Sequence, residues 1–134
     1  MQVLLSIKPE FVKRIFAGEK LFEYRKAIFR RAGVEKVIIY STLPEGKIVG
    51  EFSIEKILTD SPEAIWDKTQ TKSGINKEFF DQYFNGKAEA HAIKIGNVRK
   101  YDNPFKLDMM KTKVTAPQSF MYLSHDHFPE FAFE

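Results

Sequence analysis

The sequence of 134 residues contains no cysteine, one tryptophan and three histidines. The absence of cysteine excludes disulfides and thiolate metal sites. No apolar run approaches the roughly 20 residues that a membrane-spanning helix needs. The first residues lack the basic segment, long apolar core and small-residue cleavage site of a signal peptide. We therefore predict a cytoplasmic protein that contacts no membrane.

Sequence signatures of bound metals and cofactors are also missing. His125-Asp126-His127 resembles half of a metal site, but His91 is the only other histidine, so a complete zinc site is not expected. The sequence has no P-loop, no Rossmann glycine pattern and no Ser-His-Asp signature. We therefore expect neither a metal ion nor a cofactor.

Enough apolar material is present for one hydrophobic core. Apolar residues make up 43% of the chain and charged residues 29%, which is typical of a globular protein. No repeat, low-complexity tract or linker interrupts the sequence. Because single cores commonly form at about 100–150 residues, we predict one domain over residues 1–134.

Positive charge is concentrated near the N-terminus. The net charge is only +3, but nine of the 21 basic residues lie between positions 8 and 36, where four glutamates leave a local charge of +5. This quarter of the chain is the expected surface for an anionic ligand. The overall charge alone does not require a nucleic-acid partner.

Hydrophobic periodicity predicts a mainly β protein with about three short helices. The helices are expected from Pro9 to Gly18, from Ser61-Pro62 onward, and from the capping residue Asn76 to Phe84. Helical spacing puts Phe11, Val12, Ile15 and Phe16 on the apolar face of the first, and Phe79, Phe80 and Tyr83 form the apolar stripe of the third. Short strands separated by turn signals favour a closed or highly curved β-barrel of six or seven strands. The predicted strands are Gln2–Ile7, Lys20–Arg25, Val37–Ser41, Lys47–Leu58, Ala88–Ile95, Val98–Tyr101 and Ser119–Leu123.

Two further features are predicted from single residues or short segments. Gly50 within a strand indicates a bulge or a close approach of another chain segment. The tail Phe128–Glu134 contains three phenylalanines and is expected to pack as an edge strand on this sheet or on that of a partner. The oligomeric state is left open.

The most informative segment runs from Gly18 to Arg25 at a helix-to-strand junction. A desolvated Lys20 loses its proton more readily and then serves as base or nucleophile. Glu23 is suited to orient a polar ligand or to act as general acid or base. Arg25 offers a planar fork for phosphate or a base edge. The alternative is a surface strand whose charges pair with their neighbours.

Aromatic residues are candidates for stacking on bases, as in single-stranded RNA sites. Tyr24 and Trp66 are the first of these, and Trp66 lies on a short helix where a lid over a cleft would belong. Most of the other aromatic residues are expected in the core, since aromatics make up 14% of the chain.

Gly18, Lys20, Glu23 and Arg25 form the pattern Gly-x-Lys-x-x-Glu-x-Arg, which resembles the motif of the ASCH family. Five other segments, one before and four after the motif, are similar in the same order. They are Leu5–Pro9, Lys47–Phe52, Phe79–Gly86, Ala90–Ile95 and Pro117–Phe120. The resemblance therefore extends over nearly the whole chain.

This resemblance implies a PUA-like β-barrel with a cleft beside the motif that binds RNA or a modified nucleoside. Some members of the family are ribonucleases, and others are amidohydrolases that remove the acetyl group from N4-acetylcytidine. In the amidohydrolases the lysine acts with a threonine, at the position of Glu23 here, and with a downstream glutamate. That glutamate would lie near residues 70–72, where this sequence has no carboxylate. The nearest acidic residues are Glu63, Asp67 and Glu78.

Three functions follow as hypotheses. The first is a binding module for RNA or a nucleotide-like molecule, with a part in regulating RNA or transcription. Its expected ligand residues are Lys8, Gly18, Lys20, Glu23, Tyr24, Arg25, Lys26 and Trp66. The second is a hydrolytic enzyme, a ribonuclease or an amidohydrolase, with Lys20 and Glu23 as catalytic residues. The third is a sensor of a small metabolite, whose binding would depend little on salt.

The alternation of side chains along a strand sets a condition on this site. In a regular strand, Lys20 and Glu23 would point to opposite faces. Their joint use requires Lys20 to lie in a turn or a bulge between them.

Overall fold

The computed structural model describes residues 1–111, 114–117 and 120–129. Within this part of the chain, none of the helices has the length and apolar character to cross a membrane. The described residues form one sheet with helices packed against it. Two buried clusters lie between the sheet and the helices, and a third joins the sheet to described residues between positions 105 and 128.

The described residues contain six strands in one sheet, in the order β2-β5-β4-β3-β1-β6. Neighbours run antiparallel except β1 and β3, which are parallel. The strands are β1 (Gln2–Ile7), β2 (Phe22–Arg25), β3 (Lys36–Ser41), β4 (Lys47–Asp60), β5 (Ala90–Phe105) and β6 (Phe120–Leu123).

Three α-helices lie between the strands: α1 (Pro9–Phe16), α2 (Pro62–Thr69) and α3 (Lys77–Tyr83). The first turns of α2 and α3 are stabilised by the capping residues that the sequence predicts. The hydroxyl of Ser61 accepts from the backbone N–H of Ala64, and the side chain of Asn76 accepts from that of Phe79. Short 3-10 helices span Gln70–Lys72, Leu107–Met109 and His125–His127.

The mainly β fold with three short helices is confirmed, whereas the closed barrel is wrong. β2 and β6 lie at the two ends of the strand order, and each is only four residues long. In the described residues, the side chain of Arg25 reaches the carbonyl oxygen of Ser6 at 3.4 Å in place of a backbone ladder between β2 and β1. The sheet is therefore strongly paired in its centre and open beside β2.

The two strands predicted around 88–95 and 98–101 are one strand. β5 continues without interruption from Ala90 to Phe105 along β4, although the pairing shifts register three times. The bulges change the alternation of side chains without ending the strand, and this change is what led to the prediction of two separate strands. The predicted edge strand of the tail falls mostly outside the described residues.

Gly50 is the position where the sheet requires a glycine. The register of β4 shifts between Ile48 and Gly50. A Cβ atom on Gly50 would lie 2.6 Å from the carbonyl oxygen of Arg99 and 2.7 Å from the ring of Phe16. Both the predicted bulge and the predicted close approach are therefore present.

We expect Gly50→Ala to lower the free energy of unfolding by about 1–3 kcal/mol, because backbone on one side and a packed ring on the other must move. The matched control is Gly96→Ala in the neighbouring strand. There the closest atom to the new methyl group is the hydroxyl of Ser53, which can rotate away at the cost of the one hydrogen bond that it accepts from the N–H of Asn97, so a smaller loss is expected. Urea unfolding of both variants checks this prediction, and equal losses would contradict it.

Candidate functional site

A cavity of about 220 Å³ lies at the open side of the sheet, between the ends of β1 and β2 and the helices α1 and α3. Its lining contains three cations, one carboxylate and four aromatic rings. The lining residues are Ser6, Ile7, Lys8, Phe11, Lys20, Glu23, Tyr24, Arg25, Ile75, Phe79 and Tyr83. The motif segment and the basic N-terminal quarter therefore meet at this cavity.

Lys20 is fixed before β2 begins. The helix α1 ends at Phe16, and the backbone N–H groups of Glu19 and Lys20 both donate to the carbonyl oxygen of Arg14. β2 starts only at Phe22, so Lys20 is not part of the strand alternation. Both Lys20 and Glu23 line the cavity for this reason.

The ammonium group of Lys20 has few polar contacts for a buried charge. Only 1% of the residue is exposed, and Nζ donates to the carbonyl oxygen of Ser73 at 2.7 Å. The rings of Phe11 and Tyr24 lie 5.3 and 4.8 Å from Nζ. Burial lowers the pKa of Lys20 to about 8, with Glu23 opposing the shift and Arg14 adding to it.

Gly74 holds this lysine from the other side. It has a φ of +68°, and a Cβ atom at this position would overlap the Cβ and Cγ atoms of Lys20. Its carbonyl oxygen accepts from the guanidinium of Arg14. The loop around Gly74 is tied further to the motif by a bond from the N–H of Leu21 to the oxygen of Lys72 at 2.9 Å.

Glu23 and Arg25 form an ion pair at the base of the cavity. They are two residues apart on β2 and therefore face the same side of the sheet. The guanidinium lies 3.2 Å from the carboxylate, and both side chains are nearly buried. A carboxylate that accepts and a guanidinium that donates thus stand side by side, a pattern suited to polar ligands with both donors and acceptors.

Aromatic rings form the apolar walls. Phe79 and Tyr83, one turn apart on α3, are nearly parallel, with centroids 6.3 Å apart. Phe11 meets Phe79 edge-on at 5.1 Å. The Tyr24 hydroxyl is bonded to Thr69 at 2.7 Å, and burial raises the pKa of Tyr24 to about 12, so its phenol stays protonated at neutral pH.

The structure does not bring all predicted site residues to the cavity. Lys8, Lys20, Glu23, Tyr24 and Arg25 line it, whereas Gly18, Lys26 and Trp66 are not among its lining residues. Gly18 ends the α1 turn with a φ of +77°. Lys26 lies next to the cavity, with Nζ 4.6 Å from the centroid of Tyr83. Trp66 packs on Phe80 with centroids 4.9 Å apart.

Sequence reasoning missed four contributors. Phe11, Phe79 and Tyr83 were predicted to lie on apolar helix faces, and they do, but those faces border the cavity. The fourth, Gly74, lies in a polar loop that carried no motif. Glu63, Asp67 and Glu78, the acidic residues nearest to positions 70–72, do not line the cavity.

Two other features of the described residues concern metal binding and a second groove. They contain no group of three or more His, Cys, Asp or Glu side chains able to hold a metal ion. A second, more open groove of about 710 Å³ runs along the opposite side of α1 and includes Lys13, Phe16 and Lys100.

Comparison with known proteins gives matches over nearly the whole chain. The family described as "Domain of unknown function (DUF365)" matches residues 1–121. An ASCH domain-containing ribonuclease of Zymomonas mobilis is 26% identical over 125 residues, which is 91% of this chain and 84% of that protein. The crystal structure of ASCH from Zymomonas mobilis has a TM-score of 0.86 at 25% identity, covering 94% of this chain and 90% of that one.

A third relative is longer than this chain. The large ribosomal subunit protein uL22 of Ureaplasma parvum is 37% identical over 124 residues, or 90% of this chain. The chain spans only 39% of the length of that protein. The resemblance to ASCH proteins that the motif predicted is confirmed, and the fold is that of the ASCH structures.

Proposed function

Because the chain belongs to the family described as "Domain of unknown function (DUF365)" and has the ASCH fold, we propose that its cavity binds one nucleotide unit of RNA. The similarity to a protein named a ribonuclease supports an RNA-related role. The proposed ligand residues are Lys8, Lys20, Glu23, Tyr24 and Arg25. The cytoplasmic location and a part in regulating RNA or transcription stay predictions.

The observation that carries this proposal is the composition of the cavity. Ligand pockets typically span about 300–1,000 Å³ and combine apolar walls with a few polar groups. At about 220 Å³, this cavity is smaller and suits one base with its ribose rather than a larger cofactor. Aromatic walls provide stacking surfaces, and the cations attract phosphate.

The buried ion pair supplies the polar contacts. The Glu23 carboxylate accepts hydrogen bonds from amino or imino groups of a base, while Arg25 donates to ring nitrogens or carbonyl oxygens. Since each nucleobase carries both donors and acceptors on its edge, a paired carboxylate and guanidinium match it better than either charge alone.

Titration with ribonucleoside monophosphates, followed by amide chemical shifts of the labelled protein, tests this function. We expect shifts concentrated at the cavity, and Glu23→Gln is expected to weaken binding about tenfold, the loss expected for one charge-assisted hydrogen bond. Lys13→Ala, in the second groove, is the control and should bind like the wild type. Chemical-shift changes confined to the second groove, or no changes at all, would contradict the proposal.

Hydrolysis of RNA is a second candidate, favoured by the lowered pKa of Lys20. A general base works best when its pKa lies near the operating pH, and about 8 meets that condition where an ordinary lysine does not. Neutral Lys20 would take the proton of the ribose 2′-hydroxyl as its oxygen attacks the adjacent phosphorus, the bond from phosphorus to the 5′-oxygen would break, and the leaving oxygen would take a proton from water. Glu23 lines the same cavity.

Incubation of end-labelled RNA with the protein tests the enzyme hypothesis. Cleavage that rises with pH toward 8 and disappears in Lys20→Met is the expected result if Lys20 is the base. If the protein binds the RNA but leaves it intact, the enzyme hypothesis is rejected and the binding module is favoured. Tight binding of a small molecule that changes little with salt would favour the metabolite sensor instead.

A further inference from the structure

The rim of the cavity carries two exposed lysines, Lys8 in its lining and Lys26 beside it. Nζ of Lys8 lies 5.1 Å from the centroid of Phe79, and Nζ of Lys26 lies 4.6 Å from that of Tyr83. Lys8 is the residue before α1, and Lys26 directly follows β2. Two distant segments thus place one ammonium group over each of two adjacent rings.

The two rings near these charges are neighbours on α3. Phe79 and Tyr83 are separated by one helical turn, a rise of about 5–6 Å. Their ring planes differ by 12° and their centroids are 6.3 Å apart. Each of these two adjacent rings at the cavity edge thus has one ammonium group near it.

Neither lysine is neutralised by a carboxylate among the described residues. The ion pairs found there involve other lysines, including Lys77 with Asp81 at 2.7 Å. Lys77 also lies over a ring, that of Trp66 at 5.9 Å, but its charge is already paired. Lys8 and Lys26 thus differ from Lys77 in leaving their positive charge available to an anion.

We propose that Lys8 and Lys26 bind two different phosphates of single-stranded RNA, so that the cavity receives an internal nucleotide of a strand rather than a free one. This inference rests on the proposed function of the cavity. A mononucleotide has one phosphate and engages one of the two lysines, whereas a strand that runs along α3 engages both. A duplex is disfavoured, because one of its bases would have to unpair and leave the stack to enter the cavity.

The test compares ribonucleoside monophosphates with a fluorescent single strand of roughly eight nucleotides, within the site sizes of single-strand-binding domains. Affinity is measured at several salt concentrations. We expect the strand to bind at least about tenfold more tightly, and each of Lys8→Ala and Lys26→Ala to lower the salt slope of the strand by about 0.7. Both side chains are exposed, so the variants should fold.

Lys77→Ala is the matched control, since it also removes a lysine from above a ring and is expected to leave the slope unchanged. Equal salt slopes in the wild type and in Lys8→Ala and Lys26→Ala would overturn the inference. So would mononucleotides that bind as tightly as the strand, and in that case the proposed function of the cavity would stand. If neither probe binds, both proposals are overturned.

Discussion

Replacing Gly74 with alanine is expected to abolish RNA binding at the cavity and to lower the free energy of unfolding by about 2–4 kcal/mol. Two costs add. An L-residue is strained at a φ of +68°, and the new methyl group would occupy the space of the Lys20 side chain. Since Lys20 is buried between the Gly74 loop, Phe11 and Tyr24, it cannot yield without leaving the cavity wall.

Gly86→Ala separates these two costs. Gly86 has a φ of +77°, and a Cβ atom there would meet nothing within 4 Å. This variant is expected to lose only the backbone contribution of about 1–2 kcal/mol and to bind RNA like the wild type. Urea unfolding and RNA titration of both variants provide the measurement. If both variants lose the same free energy of unfolding and keep the same affinity for RNA, the close packing of Gly74 on Lys20 does not matter for RNA binding.

The second large effect is a dependence of stability on pH that Lys20 creates. Its pKa is about 8 in the folded protein and 10.5 as the ordinary value in the unfolded chain. Between these values the unfolded chain holds a proton that the folded protein has released. Stability therefore rises with pH across this window, as the cost of burying the ammonium is relieved. The shift corresponds to about 3 kcal/mol.

Lys20→Met removes this titration while retaining an unbranched side chain. The difference in unfolding free energy between wild type and Lys20→Met should change by about 3 kcal/mol in favour of the wild type from below pH 8 to pH 10.5. Other titrating groups cancel in the difference. Lys13→Met controls for the change in net charge from an exposed position on α1. A constant difference would show that Lys20 is not desolvated.

Helix starts and β-bulges were predicted correctly where a residue within the element itself determines them. Ser61 and Asn76 start helices through their own side chains, and Gly50 marked a real bulge. The open sheet could not be predicted, because closure depends on whether the two edge strands pair with each other. The sequences of β2 and β6 do not indicate that each leaves one edge unpaired. The break predicted in β5 failed because bulges change side-chain alternation without ending a strand.

The sequence predicted the charged residues of the candidate site but not most of the aromatic residues that form its walls. The motif drew attention to Lys20, Glu23 and Arg25, and the condition that Lys20 lie outside the strand is met. Helical periodicity placed Phe79 on an apolar face but cannot distinguish a face in the core from one beside a cavity. The importance of Gly74 arises from a neighbour distant in sequence, which no local pattern reveals.

The most direct measurement of the central claim is ultraviolet crosslinking of single-stranded RNA to the protein, with the crosslinked residues identified by mass spectrometry. The account predicts crosslinks at the aromatic walls of the cavity, Phe79 and Tyr83 first, that disappear in Gly74→Ala and persist in Gly86→Ala. Crosslinks confined to the second groove, around Phe16 and Lys100, would contradict it.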